Sequence, residues 1–235
     1  MAISAVPSHP NCNAAWRRRL VVLAALLVTV GMAAFMIDLP VASLCKRERP
    51  PGELLKLINF SETFAHALGV AAILTTVFVL DPTLRRNRPA WRGDFARMVA
   101  ATYVGGLAVD VVKLLVPRVR PRAADLAAVH SALGTFGETA LAVSDRHLSD
   151  IMSFPSGHSA VAAGLAATLC WRYPHGLPVF ATFAVLAASQ RVVTSQHYPS
   201  DVAIGAAFGL LGAASVLRSR SHPGADSGVT AAERP

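Results

Sequence analysis

The sequence predicts an all-α protein: an integral-membrane bundle of about six transmembrane helices. Two observations carry this. Hydrophobic residues make up 53% of the 235 positions and charged residues only 15%, well off the balance of soluble domains. The apolar residues also fall in long blocks separated by basic loops, which is how bilayer spans read.

The blocks follow in order. Residues 20–37 carry no charge. Arg17, Arg18 and Arg19 ahead of them resemble the n-region of a signal peptide. The run is longer than a usual h-region, however, and no small-residue cleavage motif precedes Pro40, so a retained first helix is expected. Residues 63–80 match it with one interruption, His66. Residues 98–116 carry Asp110 and Lys113 near their end. These three fit the length of about 20 residues that a span requires. Residues 157–171, 176–190 and 202–217 are shorter and must borrow polar flanks. The domain layout is then a cytoplasmic segment 1–19, a six-helix membrane domain 20–218 and a disordered cytoplasmic tail 219–235, rich in small, polar and charged residues.

Orientation comes from the loops. A cytoplasmic N-terminus places Arg17–Arg19, Arg85, Arg86, Arg88, Arg92, Arg97, Arg172, Arg218, Arg220 and Arg234 inside. The positive-inside rule favours this arrangement, although Lys46, Arg47, Arg49 and Lys56 crowd the first outer loop. The expected location is the inner (plasma) membrane of a bacterium, both termini cytoplasmic.

Three motifs then fall on the outer face. They are K-x6-R-P from Lys113 to Arg120 and Pro121, P-S-G-H at Pro155–His158, and R-x5-H-x3-D at Arg191, His197 and Asp201. They supply cations, a Ser-Gly turn, two histidines and a carboxylate, an inventory suited to binding a phosphoryl group and breaking its ester bond. His197 is the candidate nucleophile, its neutral imidazole attacking phosphorus to give a phosphohistidine. Asp201, one turn later, is placed to orient that ring. His158 is the candidate general acid. Ser156 is a natural N-cap, and Gly157 lets backbone approach a ligand at a helix start. Lys113, Arg120 and Arg191 would neutralise the phosphoryl oxygens. Blander readings exist for each. A His-Asp pair can close a helix N-terminus, Lys113 can snorkel to the interface, and Arg118, Arg120 and Arg122 can attract anionic lipid.

The ordered triple resembles the type 2 phosphatidic acid phosphatase family (PAP2, the lipid phosphate phosphatases) and, more remotely, the vanadium haloperoxidases. The resemblance covers roughly residues 113–217. It implies that Lys113, Arg120, Ser156, Gly157, His158 and Arg191 form the phosphate pocket, with His158 the acid, His197 the nucleophile and Asp201 its orienter. It further implies a six-helix bundle, no metal or other cofactor, and a phosphorylated lipid entering from the bilayer. One position departs: the family usually has Ser before the Arg of the third motif, and here Gln190 stands there.

Phosphatidic acid or a related phospholipid monoester is the leading substrate, with undecaprenyl diphosphate the close alternative. A non-catalytic protein holding anionic lipid would need the cations but not a nucleophile. A metal-dependent hydrolase would use His158, His197 and Asp201 as ligands. Asp110 is expected to position Lys113 from the same helical face, and His66 to sit at the interface. Cys12, Cys45 and Cys170 show neither zinc nor disulfide spacing. The net charge of +8 is spread over loops with few aromatics, which fits a membrane surface and not nucleic acid. The long 122–154 segment, with Asp145, Arg146, His147 and Asp150, is a candidate headgroup-selecting lid.

Overall fold

With no water in the bilayer core to bond exposed N–H and C=O groups, each apolar block has to satisfy its backbone internally, and helices result. A computed structural model describes residues 10–48, 50–82, 84, 88–138, 142 and 147–217. Residues 1–9 and the expected tail 219–235 lie outside the described residues, as do Arg49, Arg85, Arg86, Asp145 and Arg146. Among the described residues we number eight α-helices. They are α1 (Pro10–Ala34), α2 (Asp38–Arg47), α3 (Gly52–Ser61), α4 (Ala67–Leu80), α5 (Arg88–Leu115), α6 (Gly157–Arg172), α7 (Leu177–Val193) and α8 (Pro199–Val216).

Three stretches, Gly93–Leu115, Pro174–Val193 and Pro199–Val216, are long and apolar enough to cross a membrane. The first two expected spans are instead broken helices. Ala14–Ala34 and Asp38–Arg47 meet at 74°, and Gly52–Phe64 and Ala67–Leu80 at 66°. The first break falls at Asp38, a buried carboxylate whose partners lie across the bundle. The second break runs through a 3-10 turn, Glu62–Phe64, into an extended, exposed His66. The block at 63–80 therefore starts inside a turn, and α1 reaches back into the segment expected to precede the membrane domain. Among the described residues that gives three spans, or five if each bent pair counts as one, and the remaining expected block, 157–171, forms the shorter α6.

At 16 residues, α6 is about 24 Å long, less than the roughly 30 Å hydrocarbon core. It is accordingly the most sheltered helix and contributes to two apolar clusters. Ala162, Leu165, Ala166 and Leu169 pack with Val70, Leu74, Met98 and Ala187. Ala163 and Ala167 pack with Leu20, Ala24, Ala207 and Leu210. Outer helices expose Leu23, Leu26, Leu107, Val111 and Val185, surface that lipid covers.

Lipid tails are as apolar as leucine, so helices in a bilayer associate by close packing, for which small residues are needed. A Cβ added at Gly209 of α8 would lie 2.1 Å from the Ala160 carbonyl oxygen of α6. One at Gly164 would lie 2.7 Å from the Thr102 carbonyl oxygen of α5. Backbone meets backbone at both crossings. Gly209→Ala should therefore destabilise the bundle by about 1–3 kcal/mol through forced separation of α6 and α8. Gly93→Ala, which meets nothing within 4 Å, should not destabilise it. Unfolding midpoints of both variants in one detergent check the contrast, and equal midpoints would refute it.

Candidate active site

The end of α5, the start of α6, the end of α7 and the start of α8 converge, and with them all three sequence motifs. The Ser156 amide donates to the Asp201 carbonyl at 3.0 Å. Arg120 Nη1 donates to Gln196 Oε1, next to His197, at 2.8 Å. A Cβ on Gly157 would stand 3.1 Å from Lys113 Nζ. The three motifs are one site.

His197 is set by the tight link between α7 and α8. Its amide and that of Gln196 both donate to the Arg191 carbonyl, at 3.0 and 2.9 Å, and Ser195 takes a left-handed φ of 56° to close the turn. Pro199 then opens α8 at a position where its missing N–H costs nothing. The ring is 2% exposed. Nδ1 lies 2.7 Å from the Ser153 carbonyl oxygen and 3.7 Å from Asp201 Oδ2. A carbonyl only accepts, so Nδ1 carries the proton and Nε2 keeps its lone pair. In place of the expected direct Asp-His hydrogen bond, Ser153 contacts both groups, its carbonyl accepting from the ring and its hydroxyl donating to Asp201 Oδ2 at 2.6 Å. The Tyr198 amide bonds the same oxygen at 2.9 Å. Burial pushes the His197 imidazole down to about 4; the Asp201 carboxylate opposes this, while Arg120 and Lys113 add to it.

The cations are already engaged. Arg120 Nε donates to the Ser149 carbonyl at 2.7 Å. Burial, then Arg122 and Arg191, lower its pKa to about 10, which leaves it charged at neutral pH. Lys113 Nζ is 3.5 Å from Asp110 Oδ1, the pairing anticipated. Arg191 Nη1 donates to Glu62 Oε1 at 2.7 Å, and His158 Nε2 is 3.8 Å from that oxygen. Ser156 is fully buried and caps α6, accepting from the Ser159 amide at 3.4 Å and hydroxyl at 2.9 Å. Its hydroxyl serves the helix, and the Gly157 and His158 N–H groups of that first turn are left facing the site. Gln190 Nε2 donates to Glu62 Oε2 at 3.2 Å. Cys45 and Cys170 are free thiols. Among the described residues, no group of three His, Cys, Asp or Glu is placed to hold a metal ion.

The described part of the 122–154 segment is bound down, unlike a free flap. Arg118, Val119 and Arg120 amides donate to the Ile151, Thr135 and Asp150 carbonyls at 2.8, 2.9 and 2.7 Å. Arg122 pairs with Asp150 at 2.8 Å.

Arg118 is the residue that the motifs did not single out. It is wholly buried, not a lipid-facing cation. Nη1 donates to Asp201 Oδ1 and, at 2.8 Å, to Ser200 Oγ. Nη2 donates to Asp38 Oδ2 at 2.7 Å and Nε to Thr135 Oγ1 at 2.9 Å. The rings of Tyr198, Phe136 and Phe35 lie 4.0, 4.6 and 5.2 Å from its guanidinium carbon. Asp38 returns the contact by accepting from the Ser200 amide at 3.0 Å. One signal was available: Asp38 is a carboxylate at the edge of an apolar block, and such residues are functional candidates by default.

A family model described as the PAP2 superfamily matches residues 94–223. The crystal structure of Aquifex aeolicus LpxE aligns with a TM-score of 0.55 at 20% identity, covering 77% of this chain and 94% of that one. That of a transmembrane PAP2 type phosphatidylglycerolphosphate phosphatase from Bacillus subtilis aligns at 0.54 and 22% identity, covering 87% and 93%. No curated protein matches significantly.

Removing Arg118 would strand two carboxylates in the interior. Arg118→Ala should therefore cost about 3–5 kcal/mol. Arg118→Lys should not restore it, since an ammonium is a point donor without the guanidinium fork. Thermal unfolding in detergent measures both, and a midpoint near that of the parent would show the network to be dispensable.

Proposed function

This chain belongs to the PAP2 superfamily, and we propose that it is a metal-independent membrane phosphatase that cleaves a lipid phosphate through a phosphohistidine at the outer membrane face. The observation that carries the reading is the His197 ring, whose Nδ1 is tied to the Ser153 carbonyl and whose Nε2 is left as the nucleophilic nitrogen. An imidazole meant only to bind an anion would be better charged, whereas this one is kept neutral.

In the first step Nε2 forms a bond to phosphorus and the ester P–O bond breaks, with His158 passing a proton to the departing alkoxide. In the second, water attacks the phosphohistidine, His158 takes a proton from it, and His197 leaves phosphorus with its electron pair restored. Lys113, Arg120, Arg191 and the N–H groups at the start of α6 hold the phosphoryl oxygens as charge shifts. Asp201, fixed by Arg118, Ser153 and the Tyr198 amide, favours the cationic phospho-imidazole. A phospholipid monoester such as phosphatidic acid is the proposed substrate. Similarity in fold to a phosphatidylglycerolphosphate phosphatase supports that class. Undecaprenyl diphosphate is the alternative within the same chemistry.

His197→Ala should abolish phosphate release from phosphatidic acid in detergent while lipid binding persists, and EDTA should leave the parent enzyme active. The pH dependence has a defined sign. Lowering the pKa of His197 to about 4 keeps the attacking form populated below the ordinary imidazole range. After correction for substrate ionisation, the acid limb of kcat/KM should lie near 4. A limb near 6.5 would mean that the ring titrates as if exposed.

The face is tested by labelling. In a background lacking Cys12, Cys45 and Cys170, Ala127→Cys in the exposed outer segment should react with an impermeant thiol reagent in intact cells. His175→Cys, between α6 and α7, should react only once the cells are opened. The reverse pattern would put the site in the cytoplasm.

A further inference from the structure

A carboxylate is an odd neighbour for a cation meant to hold phosphate, yet Glu62 Oε1 sits 2.7 Å from Arg191 Nη1. Glu62 opens the 3-10 turn at the 66° break between α3 and α4. Its side chain is 36% exposed, so it has room to move. Its other oxygen accepts from Gln190 Nε2 at 3.2 Å, and Gln190 also reaches Asn59 Oδ1 at 3.5 Å. Meanwhile Arg191 Nε is buried without a hydrogen-bond acceptor, so the guanidinium is only partly satisfied by Glu62. His158 Nε2 lies 3.8 Å from the same Oε1, which puts this carboxylate between the candidate acid and a phosphate cation.

Resting on the reading of the site given above, we propose that Glu62 is a placeholder for the phosphoryl group, occupying Arg191 in the ligand-free enzyme and yielding it when substrate enters. Two anions on one guanidinium edge repel each other, so entry of phosphate drives Glu62 off. Gln190 Nε2, already bonded to the other oxygen of Glu62, gives the displaced carboxylate a donor to stay with on the α7 side. Here the departure from the family's Ser acquires a use, because Gln190 Nε2 donates to Glu62 Oε2. The same competition acts on the product: inorganic phosphate must displace Glu62 to stay bound, and it is thereby released more readily.

The test is competitive inhibition by inorganic phosphate on purified full-length enzyme. Glu62→Gln, which keeps the shape and removes the charge, should lower the inhibition constant for phosphate by about tenfold, equivalent to about 1.4 kcal/mol. Glu62→Asp, with its shorter reach to Arg191, should fall between the variant and the parent. An unchanged or raised constant in both variants overturns the proposal. So does an unchanged constant with a fall in kcat confined to substrates with poor leaving groups, which would make Glu62 a partner of His158 alone. Absence of competitive phosphate inhibition in the parent enzyme would sink the phosphate site itself, and the placeholder with it.

Discussion

A guanidinium buried with no exposed surface survives only if its donors and its charge are answered on the spot, and Arg118 is answered by residues from three distant parts of the chain. Asp38 comes from the break between α1 and α2, Asp201 and Ser200 from the first turn of α8, and Thr135 from the segment before α6. Three aromatic rings close the remaining space. The interaction explains why α1 does not run straight into α2. The chain turns by 74° where Asp38 has to point inward. It also fixes the first turn of α8, and with it the geometry of the candidate nucleophile two residues before Pro199.

Around that ion network the bundle is held by contacts of a different kind. Arg118 and its partners tolerate no loss of charge, while the crossings of α5, α6 and α8 tolerate no gain of volume, as Gly164 and Gly209 show. The two demands reinforce each other. Close helix crossings bring Ser156 of α6 near enough to α8 for its amide to bond the Asp201 carbonyl. Charge satisfaction at Asp201 then holds the start of α8 against Ser153 and His197. The nucleophile proposed for His197 draws on both, since burial supplies the desolvation and the network supplies the orientation.

The sequence disclosed the fold class and a set of candidate residues, but not how the chain brings them together. Lys113, Arg120, His158, Arg191, His197 and Asp201 stood out as candidates because phosphate chemistry demands particular residue types at short spacings, and the folded chain brings their motifs together. The α-helical membrane class was legible from apolar blocks. What stayed hidden depends on long-range pairing. Arg118 differs in no local way from Arg122, which is partly exposed and pairs with Asp150; only its distant carboxylate partners, Asp38 and Asp201, separate the two. The breaks in the first two spans were hidden for a related reason. Hydropathy registers Asp38 as the edge of one block and His66 as an interruption in another, whereas in the folded chain each sits at a bend. The anchoring of the described part of the 122–154 segment was hidden because backbone hydrogen bonds from Arg118, Val119 and Arg120 leave no trace in side-chain identity.

Two carboxylates in this site share a residue class and differ in every physical respect. Asp201 is fully buried, accepts from Arg118, Ser153 and the Tyr198 amide, and is held too tightly to leave. Glu62 is partly exposed, stands on a turn, and leans on Arg191 and Gln190. The first can only stabilise charge that develops beside it; the second can be displaced by charge that arrives. Breaking a fully buried ion pair costs several kcal/mol and an exposed pair is held by about 0–1 kcal/mol; the Glu62–Arg191 pair, with its partly exposed carboxylate, lies between them. That gap decides which acid is part of the frame and which one an incoming phosphate can move.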